Sequence, residues 1–248
     1  MKTTRDYYDE YREHFLPVPH ENATNVCRFC LGAVSGSYRQ CYNCFELFLR
    51  SEAPADLRRR VVPMTVVRNP STWYSILLTY KQGGFAEYAP VVASIAYTWL
   101  TEHAEEIREL LDGDPDMLTV VPSKRGFTFE TQRLRRALGM VGPIANQLTQ
   151  TLECVDGSPA RRTKYTPQIF SPKGEDVRGQ RIVLIEDTWI TGATAVSAAG
   201  ALRLAGAKRV VITPVARDFR VEFHGADHPY LSHILPAPYD ITAWPRTR

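Results

Sequence analysis

The sequence predicts an α/β fold in which a parallel sheet is flanked by helices, preceded by a small cysteine-containing module. Segments that favour strands alternate with segments that favour helices along most of the 248 residues, and such alternation is typical of parallel sheets. The clearest pair is the apolar run Ile182–Ile185, which suits a buried strand, followed by good helix formers from Ala193 to Leu204. Two Cys-x-x-Cys pairs between residues 27 and 44 predict the small module.

The composition is that of an ordinary globular protein. Hydrophobic residues make up 44% and charged residues 23% of the chain, so we expect one domain of moderate size with a small appendage. No apolar run approaches the roughly eighteen residues of a membrane span, and we expect no membrane insertion. The start of the chain is too charged for a secretory signal peptide, which predicts a cytoplasmic protein. A net charge of +3 fits an anionic ligand but is small for a dedicated DNA-binding surface.

Four of the five cysteines form two knuckles, Cys27-x-x-Cys30 and Cys41-x-x-Cys44, with ten residues between them. This spacing predicts a zinc site, because structural zinc prefers a tetrahedral set of thiolates. Four protein ligands leave no open position, so we expect Zn²⁺ to fold the module and to perform no chemistry. A pair of disulfides is the alternative, and it requires an oxidising compartment. We expect Cys154, the fifth cysteine, to be a small buried hydrophobic residue.

The chain divides into three predicted segments: a zinc-ribbon module with flanking helices at 1–60, an α/β domain at 61–217 and a C-terminal tail at 218–248. We expect residues 1–20 to form a short helix packed against the module. The basic run Arg58–Arg60 is most often a solvated surface, and contact with nucleic acid is the less common interpretation. The tail could cover a nucleobase site or simply pack on the surface.

The first half of the α/β domain is predicted to contain two strands and a long helix. Val61–Val67 and Trp73–Lys81 are rich in β-branched and aromatic residues, which favour strands. The helix that follows should have Pro90 in its first turn and Gly113 after its end. Its apolar positions recur at three- and four-residue spacing: Val92, Ile95, Ala96, Trp99, Leu100, Ile107, Leu110 and Leu111.

The second half of the domain is predicted to begin with a buried strand at Met117–Val121. Helices are then predicted at Thr131–Leu138 and Ile144–Leu152. The segment Val155–Gln180 is rich in glycine, proline and charge, and a polar segment of this length is usually a functional lid or disordered. After the strand and helix already described, Arg209–Val215 is predicted to be another strand.

Two carboxylates, Glu186 and Asp187, follow the apolar run directly, and a hydroxyl- and glycine-containing turn leads from Thr188 to the next helix. Such a turn collects unpaired N–H groups at the positive end of the helix dipole, which suits a phosphate. The carboxylates could accept hydrogen bonds from a sugar diol or help hold a divalent cation. A ribose 5-phosphate suits both features, because its phosphate can bind the turn and its hydroxyls can bind the carboxylates. The alternatives are an ordinary capped turn and a Walker B strand, but the chain has no GxxxxGK[ST] partner for the latter.

These residues resemble the phosphoribosyl pyrophosphate (PRPP) loop of type I phosphoribosyltransferases: an apolar strand, two acidic residues, three variable residues and Thr-Gly-x-Thr. The resemblance implies that family's parallel sheet, with Glu186 and Asp187 at the catalytic site on the ribose hydroxyls. Trp189 and Ile190 depart from the family, which usually has a smaller residue and a hydroxyl there. The resemblance also implies a set of PRPP-binding residues in the turn: Thr188, Thr191, Gly192, Ala193 and Thr194.

Together with the cysteine knuckles, this turn resembles the ComF-like phosphoribosyltransferases, which join a short zinc ribbon to a type I phosphoribosyltransferase domain. Tyr80–Gly84 resembles the family's Lys/Gly segment before its first long helix, and Val120–Gly126 resembles its strand and pyrophosphate loop. The resemblance covers roughly residues 25–217. It implies a transferase of the glycosyltransferase class that uses PRPP and Mg²⁺, in a family linked to competence and DNA uptake.

The chemistry implied by this resemblance is displacement of pyrophosphate from the anomeric carbon of the ribose. The sugar passes through an oxocarbenium-like state, so the protein positions the reactants and stabilises the departing charge. Mg²⁺ suits this leaving group because it prefers phosphate and carboxylate oxygens. Lys124 and Arg125 are predicted to neutralise the pyrophosphate. Arg161, Arg162 and Lys164 could close over the site.

Three functions stay open at the level of sequence. The first is an active phosphoribosyltransferase with an unidentified small-molecule acceptor. The second is a non-catalytic protein that binds PRPP or a nucleotide and acts as a regulator or as a partner of the DNA-uptake machinery. The loss of a hydroxyl at Ile190 favours this second function. The third is a nucleic-acid-binding protein that uses the zinc ribbon and Arg58–Arg60. The sequence also leaves oligomerisation open.

Overall fold

A parallel sheet forms the centre of the protein. The computed structural model describes residues 2–122, 129–155 and 164–247. The strands in these residues are β1 (Thr65–Arg68), β2 (Met117–Val120), β3 (Leu152–Cys154), β4 (Phe170–Pro172), β5 (Arg181–Trp189) and β6 (Arg209–Phe219). The order β1-β6-β5-β2 makes a four-stranded sheet whose neighbouring strands are all parallel, and β3 pairs with β4 in a separate antiparallel pair.

Helices cover the sheet. None of those in the described residues is both long enough and apolar enough to span a membrane. The helices are α1 (Thr4–Tyr11), α2 (Tyr42–Phe48), α3 (Thr72–Gln82), α4 (Phe85–Glu102), α5 (Ala104–Leu111), α6 (Arg133–Leu138), α7 (Gly142–Ala145), α8 (Ala193–Leu204) and α9 (Val221–His224).

β5 is buried between two core clusters. Val183 and Ile185 belong to the cluster formed with α3, α4, α5 and α6. Ile182 and Leu184 belong to the cluster formed with α8 and the cysteine knuckles. This alternation follows from the two-residue period of a strand, and a parallel strand covered on both faces needs a continuous apolar run. The structure therefore confirms the predicted α/β class, a parallel sheet flanked by helices.

The segment Trp73–Lys81, predicted as a strand, is helical. The hydroxyl of Ser71 caps the helix by accepting a hydrogen bond from the Tyr74 N–H at 3.0 Å. The helix buries four residues at three- and four-residue spacing: Trp73, Ile76, Leu77 and Tyr80. The prediction was wrong because aromatic content was given more weight than this helical period, and burial of one helix face outweighs weak strand propensity.

The long helix differs from its prediction in two ways. It begins at Phe85, so Pro90 lies inside α4 and not in its first turn. It is also interrupted at His103, after which α5 continues to Leu111. The predicted end of the helical region before Gly113 is confirmed, because Asp112 adopts a left-handed conformation with φ 57° that stops the helix.

Two further expectations were wrong in extent. The helix predicted at 144–152 is only the short α7, and Leu152 already begins β3. The polar segment 155–180 contains β4, which pairs with β3. Residues 156–163 of that segment lie outside the described residues. The helix is short because Leu152–Cys154 form β3 instead. β3 pairs with β4, a partner that the local sequence does not identify.

The two ends of the chain pack onto the body of the protein. α1 packs on α4, through Tyr8 in the core cluster. From the sequence, it was predicted to pack on the cysteine module instead. In the tail, the Tyr230 hydroxyl donates to the Leu31 carbonyl at 2.8 Å. Nη2 of Arg246 donates to the carbonyl oxygens of Phe29 and Val61, each at 2.6 Å. The tail therefore contributes to the packed structure around the cysteine knuckles.

His103, at the break between α4 and α5, makes stability sensitive to mild acid. Its side chain is 1% exposed, and its ring lies 4.9 Å from that of Trp99 and 5.1 Å from that of Trp244, between centroids. Burial lowers the pKa of His103, and the opposing charge of Glu106 does not reverse this. Below the ordinary histidine pKa of about 6.5, the unfolded chain binds a proton that the folded protein does not, so stability falls as the pH falls.

We expect His103→Phe to remove part of this dependence. The free energy of unfolding, measured with urea from about pH 8 to about pH 5, should fall less steeply in the variant than in the wild type. His224 and His228 are present in both proteins, so the comparison isolates His103. His20→Phe removes an exposed imidazole and is the control for loss of a histidine at the surface. Identical slopes in all three proteins would contradict the assignment.

Candidate functional site

The four cysteine sulfurs converge on one point. Cys27 and Cys30 share a tight turn in which the Leu31 N–H donates to the Cys27 carbonyl at 2.9 Å, and Cys44 lies in the first turn of α2. All four Sγ atoms lie within 4.8 Å of one another, and those of Cys30 and Cys41 are 3.8 Å apart. A tetrahedral site with zinc–sulfur bonds of about 2.3 Å requires sulfur separations of about 3.8 Å. The predicted ligands are therefore brought together in an arrangement that fits Zn²⁺.

The cysteine cluster, Cys27, Cys30, Cys41 and Cys44, is largely shielded from solvent, and three of its members are 0% exposed. Hydrogen bonds from neighbouring thiols lower the pKa of Cys30 well below its ordinary value, whereas burial raises the pKa of Cys44 well above it. Buried thiolates need compensating charge, which a divalent cation supplies. With four sulfur ligands, the site has no position for a substrate.

The second candidate site lies at the carboxyl edge of the sheet, where Glu186 and Asp187 are found within β5. The strand was expected to end in these two carboxylates, but β5 continues to Trp189, which pairs with Arg217 of β6. Pairing with a neighbour thus extends the strand beyond its apolar run. Since successive side chains on a strand point to opposite faces, Glu186 and Asp187 lie on opposite faces of this edge.

Lys81 belongs to this site, although no role was predicted for it from the sequence. Its Nζ donates to Asp187 Oδ1 and to Thr188 Oγ1, each at 2.9 Å. The side chains of Lys81 and Asp187 are 32% and 30% exposed, so a ligand can reach the pair. Lys81 lies in the last turn of α3, and Arg133 donates a hydrogen bond to its carbonyl oxygen. The only sequence signal was the Tyr80–Gly84 segment, which could not reveal a contact between residues 106 positions apart.

Tyr80 is a buried neighbour of this ion pair. Its side chain is 0% exposed, and its hydroxyl has no hydrogen-bond partner among the residues that the structure describes. Burial raises the pKa of Tyr80 well above its ordinary value, and the charge of Asp187 adds to this while Arg133 opposes it. Tyr80 is therefore a neutral phenol, and the nearby charge is carried by Lys81, Asp187 and Arg133.

The start of α8 offers backbone N–H groups beside the carboxylates. Gly192 precedes the helix with φ 85°, and the first intrahelical bond runs from the Val196 N–H to the Gly192 carbonyl at 2.9 Å. The N–H groups of Thr194 and Ala195 precede this bond and have no acceptor within the helix. The Ala193 N–H makes a long contact of 3.4 Å with the Thr191 hydroxyl. This geometry is suited to an anion such as a phosphate.

The indole of Trp189 supports this turn from the core. Trp189 is 1% exposed and belongs to the same core cluster as Ala193 and Val196. A Cβ atom at Gly192 would overlap the indole ring, so the turn requires glycine both for its positive φ and for this close approach. Ile190, in contrast, is 41% exposed.

Of the other predicted cations, Lys164 is the one that lies within the described residues. Lys164 is exposed and begins a segment that packs along α8, where Ser197 Oγ accepts a hydrogen bond from the Thr166 N–H at 2.8 Å. Four predicted cations lie outside the described residues: Lys124, Arg125, Arg161 and Arg162. The described part of the site therefore brings together Asp187, Thr188 and Lys81 beside the start of α8.

Comparison with known proteins found similarity only among solved structures. No family model matches the chain, and no curated protein matches it. A glutamine mutant of an HPRT, altered at an invariant aspartic acid, is 12% identical with a TM-score of 0.29, over 49% of this chain and 77% of that chain. A mutant hypoxanthine phosphoribosyltransferase from Trypanosoma cruzi, complexed with the product IMP, is 15% identical with a TM-score of 0.31, over 50% of this chain and 73% of that chain. The fold class of this chain stands on its own sheet topology.

We expect Cys27→Ser to release zinc and to destabilise the N-terminal module, because a structural metal contributes folding free energy. Elemental analysis should find about one zinc ion per wild-type chain and much less in the variant. Cys154→Ser is the matched control, since the Cys154 sulfur lies outside the cluster, 3.6 Å from the Pro122 carbonyl oxygen. Absence of zinc from the wild-type protein would contradict the assignment.

We expect Gly192→Ala to lower the free energy of unfolding by more than Gly179→Ala does. Both glycines have positive φ, 85° and 75°, but a Cβ at Gly179 meets no atom within 4 Å. The left-handed conformation costs an alanine about 1–2 kcal/mol, and overlap with Trp189 adds about 1–3 kcal/mol at Gly192. Chemical denaturation of both variants measures the difference. Equal losses would show that the indole does not support the turn.

Proposed function

We propose that this protein is a phosphoribosyltransferase that binds PRPP and Mg²⁺ and transfers ribose 5-phosphate to a small-molecule acceptor with release of pyrophosphate. The observation that carries the proposal is the juxtaposition of Asp187 and Lys81 with the N–H groups at the start of α8. A sugar phosphate needs both features, because its hydroxyls require acceptors and its phosphate requires donors. The resemblance of residues 182–194 to a PRPP loop supports the same ligand.

In this proposal the residues have separate roles. Glu186 and Asp187 accept hydrogen bonds from the ribose hydroxyls. They anchor the sugar and do not act as a general acid–base pair. Mg²⁺ would be bound mainly through the pyrophosphate, with carboxylate and water oxygens completing its coordination. The 5-phosphate binds the turn through these residues: Thr188, Thr191, Gly192, Ala193 and Thr194.

Lys81 gives the site a positive charge that does not depend on the loop after β2. Its ammonium group neutralises Asp187 at 2.9 Å. PRPP brings several negative charges, so the ammonium group can contact the ligand while remaining close to Asp187. Lys124 and Arg125 are proposed to neutralise the pyrophosphate as it departs, which is where a transferase of this kind must stabilise charge.

A non-catalytic, ComF-like protein that binds PRPP and acts in competence, DNA uptake or regulation is the second candidate. Ile190 favours it, because an exposed apolar side chain lies where a hydroxyl would offer the phosphate another contact. Release of pyrophosphate from PRPP across a panel of nitrogen acceptors separates the two functions. Retained PRPP binding without release would identify the second candidate.

The remaining expectations stay predictions. We propose the segment boundaries 1–60, 61–217 and 218–248, with a structural Zn²⁺ in the first segment. We also propose that the protein is cytoplasmic, because its cysteines are free thiols, which a reducing compartment maintains. Nucleic-acid binding is a further candidate, for which Tyr38 and Tyr42, each 73% exposed, offer stacking surfaces. A steep salt dependence of DNA binding would favour that candidate.

We expect Asp187→Asn to weaken PRPP binding by about tenfold or more while leaving the fold intact, since a hydrogen bond to a charged group contributes about 1.5–3 kcal/mol. Asparagine keeps the shape of the side chain and one acceptor for Lys81, but it loses the charge and replaces the second carboxylate oxygen with an NH₂ donor. Calorimetric titration with PRPP and Mg²⁺ measures the affinity of the wild type and the variant.

Asp116→Asn is the matched control for this experiment. Asp116 accepts a hydrogen bond from the Arg181 N–H at 2.8 Å, at the opposite end of β5. The control variant should therefore keep the wild-type affinity for PRPP. Unchanged affinity in Asp187→Asn would contradict the role of this carboxylate, and equal losses in both variants would attribute the effect to the strand and not to the site.

A further inference from the structure

Arg217 is a buried arginine that contacts the turn of the candidate PRPP site. It lies on β6 and is 5% exposed. Its Nη1 donates to the carbonyl oxygens of Trp189 and Ile190, at 3.1 and 3.3 Å. These carbonyls immediately precede Thr191 and Gly192. The planar guanidinium thus fixes the backbone where β5 ends and the turn begins.

The other side of the same guanidinium lies against the first cysteine knuckle. A Cβ atom at Gly32, two residues after Cys30, would overlap the guanidinium group and lie 2.5 Å from its Nε. This Nε has no hydrogen-bond partner in the part of the chain that the structure describes. Because Gly32 has no side chain, Arg217 can approach the cysteine cluster more closely than it could with any other residue at position 32.

Charge explains why an arginine is found at this position. The adjacent carboxylate of Asp218 contacts Arg220 at 3.1 Å and is already paired. A zinc ion with four thiolates carries a net charge of −2, so the metal-loaded cluster is an anion against which a buried guanidinium is stable.

We infer that Arg217 is a positioning residue that joins the zinc–thiolate cluster to the PRPP turn. Its charge neutralises the metal-loaded cluster, and its N–H groups hold the carbonyls of Trp189 and Ile190. Loss of zinc frees the first knuckle to move, so it no longer holds the guanidinium in place from the side of Gly32. The turn then loses its anchor, so zinc occupancy and phosphate-ligand affinity are coupled. The ligand half of this inference rests on the proposed function, whereas the link between the metal and the turn does not.

The test compares Arg217→Met with Arg246→Met, since methionine removes the charge and keeps much of the volume. Arg246 is also 5% exposed and contacts the cysteine module through the carbonyl oxygens of Phe29 and Val61. Glu21 balances its charge at 2.9 Å, and no hydrogen bond joins it to the turn in the described residues. It therefore controls for the loss of a buried arginine beside the same cluster.

Three quantities are measured on zinc-loaded proteins. The first is the rate of zinc transfer to a chromogenic chelator, the second is hydrogen exchange of the amides of residues 190–195, and the third is the affinity for PRPP with Mg²⁺. We expect Arg217→Met to release zinc to the chelator about 10- to 100-fold faster, in line with the loss of metal affinity when residues around a metal site are replaced. Its amides at 190–195 should exchange at least about tenfold faster than those of the wild type.

Arg246→Met should leave the exchange of residues 190–195 and the affinity for PRPP unchanged. Arg217→Lys keeps the charge but lacks the planar set of N–H donors of a guanidinium. It should therefore retain zinc better than Arg217→Met, while hydrogen exchange of the amides at 190–195 stays fast. If Arg217→Met fails to fold, this lysine variant and zinc-stripped wild type carry the same comparison. Equal acceleration in both methionine variants would overturn the inference, as would wild-type zinc release and exchange in Arg217→Met.

The outcomes also separate this inference from the proposed function. If wild-type protein does not bind PRPP, but exchange at 190–195 responds to zinc and to Arg217, the proposed function fails and the coupling stands. If PRPP binds with the same affinity to zinc-loaded protein, zinc-stripped protein and Arg217→Met, the coupling fails and the proposed function stands.

Discussion

The parallel pairing of β5 with β6 is the interaction on which both candidate sites depend. It continues to the pair Trp189–Arg217 and so carries Asp187 past the end of β2 to the carboxyl edge of the sheet. A shift of one residue would move every side chain of β5 to the opposite face. Asp187 would then lose its contact with Lys81, and the turn at Gly192 would lose the support of the buried Trp189 indole. The register of one strand pair therefore sets the geometry of the site.

Buried positive charge ties the cysteine cluster to the rest of the molecule. Arg217 approaches it from the sheet, beside Gly32 of the first knuckle, and Arg246 contacts the adjoining backbone from the tail. Burying a guanidinium is costly unless its N–H groups find acceptors and its charge finds a partner. Carbonyl oxygens supply the acceptors, and thiolates or Glu21 supply the negative charge. The cysteine cluster and the candidate ligand site thus contact the same buried arginine, Arg217.

Prediction from sequence succeeded where a pattern is contained in a short segment. The apolar run at 182–185 identified the central strand, and the cysteine spacing identified the cluster. Prediction was wrong at 73–81, where aromatic residues at helical spacing form α3, and at the end of β5, which a neighbouring strand extends. At 73–81 the helical spacing was present in the sequence and was given too little weight. At the end of β5 the deciding contact is made with β6, a partner that the local sequence does not identify.

The strand-to-helix segment with its carboxylates, and the four thiols at metal-binding spacing, can be identified from the sequence alone, because covalent distance and periodicity are enough to define both. The packed fold adds that Lys81 contacts Asp187, that Arg217 lies between the cysteine cluster and the turn, and that the tail packs beside the knuckles. These contacts join residues far apart in the chain. Their partners are selected by the packing of a buried sheet, which no local pattern encodes.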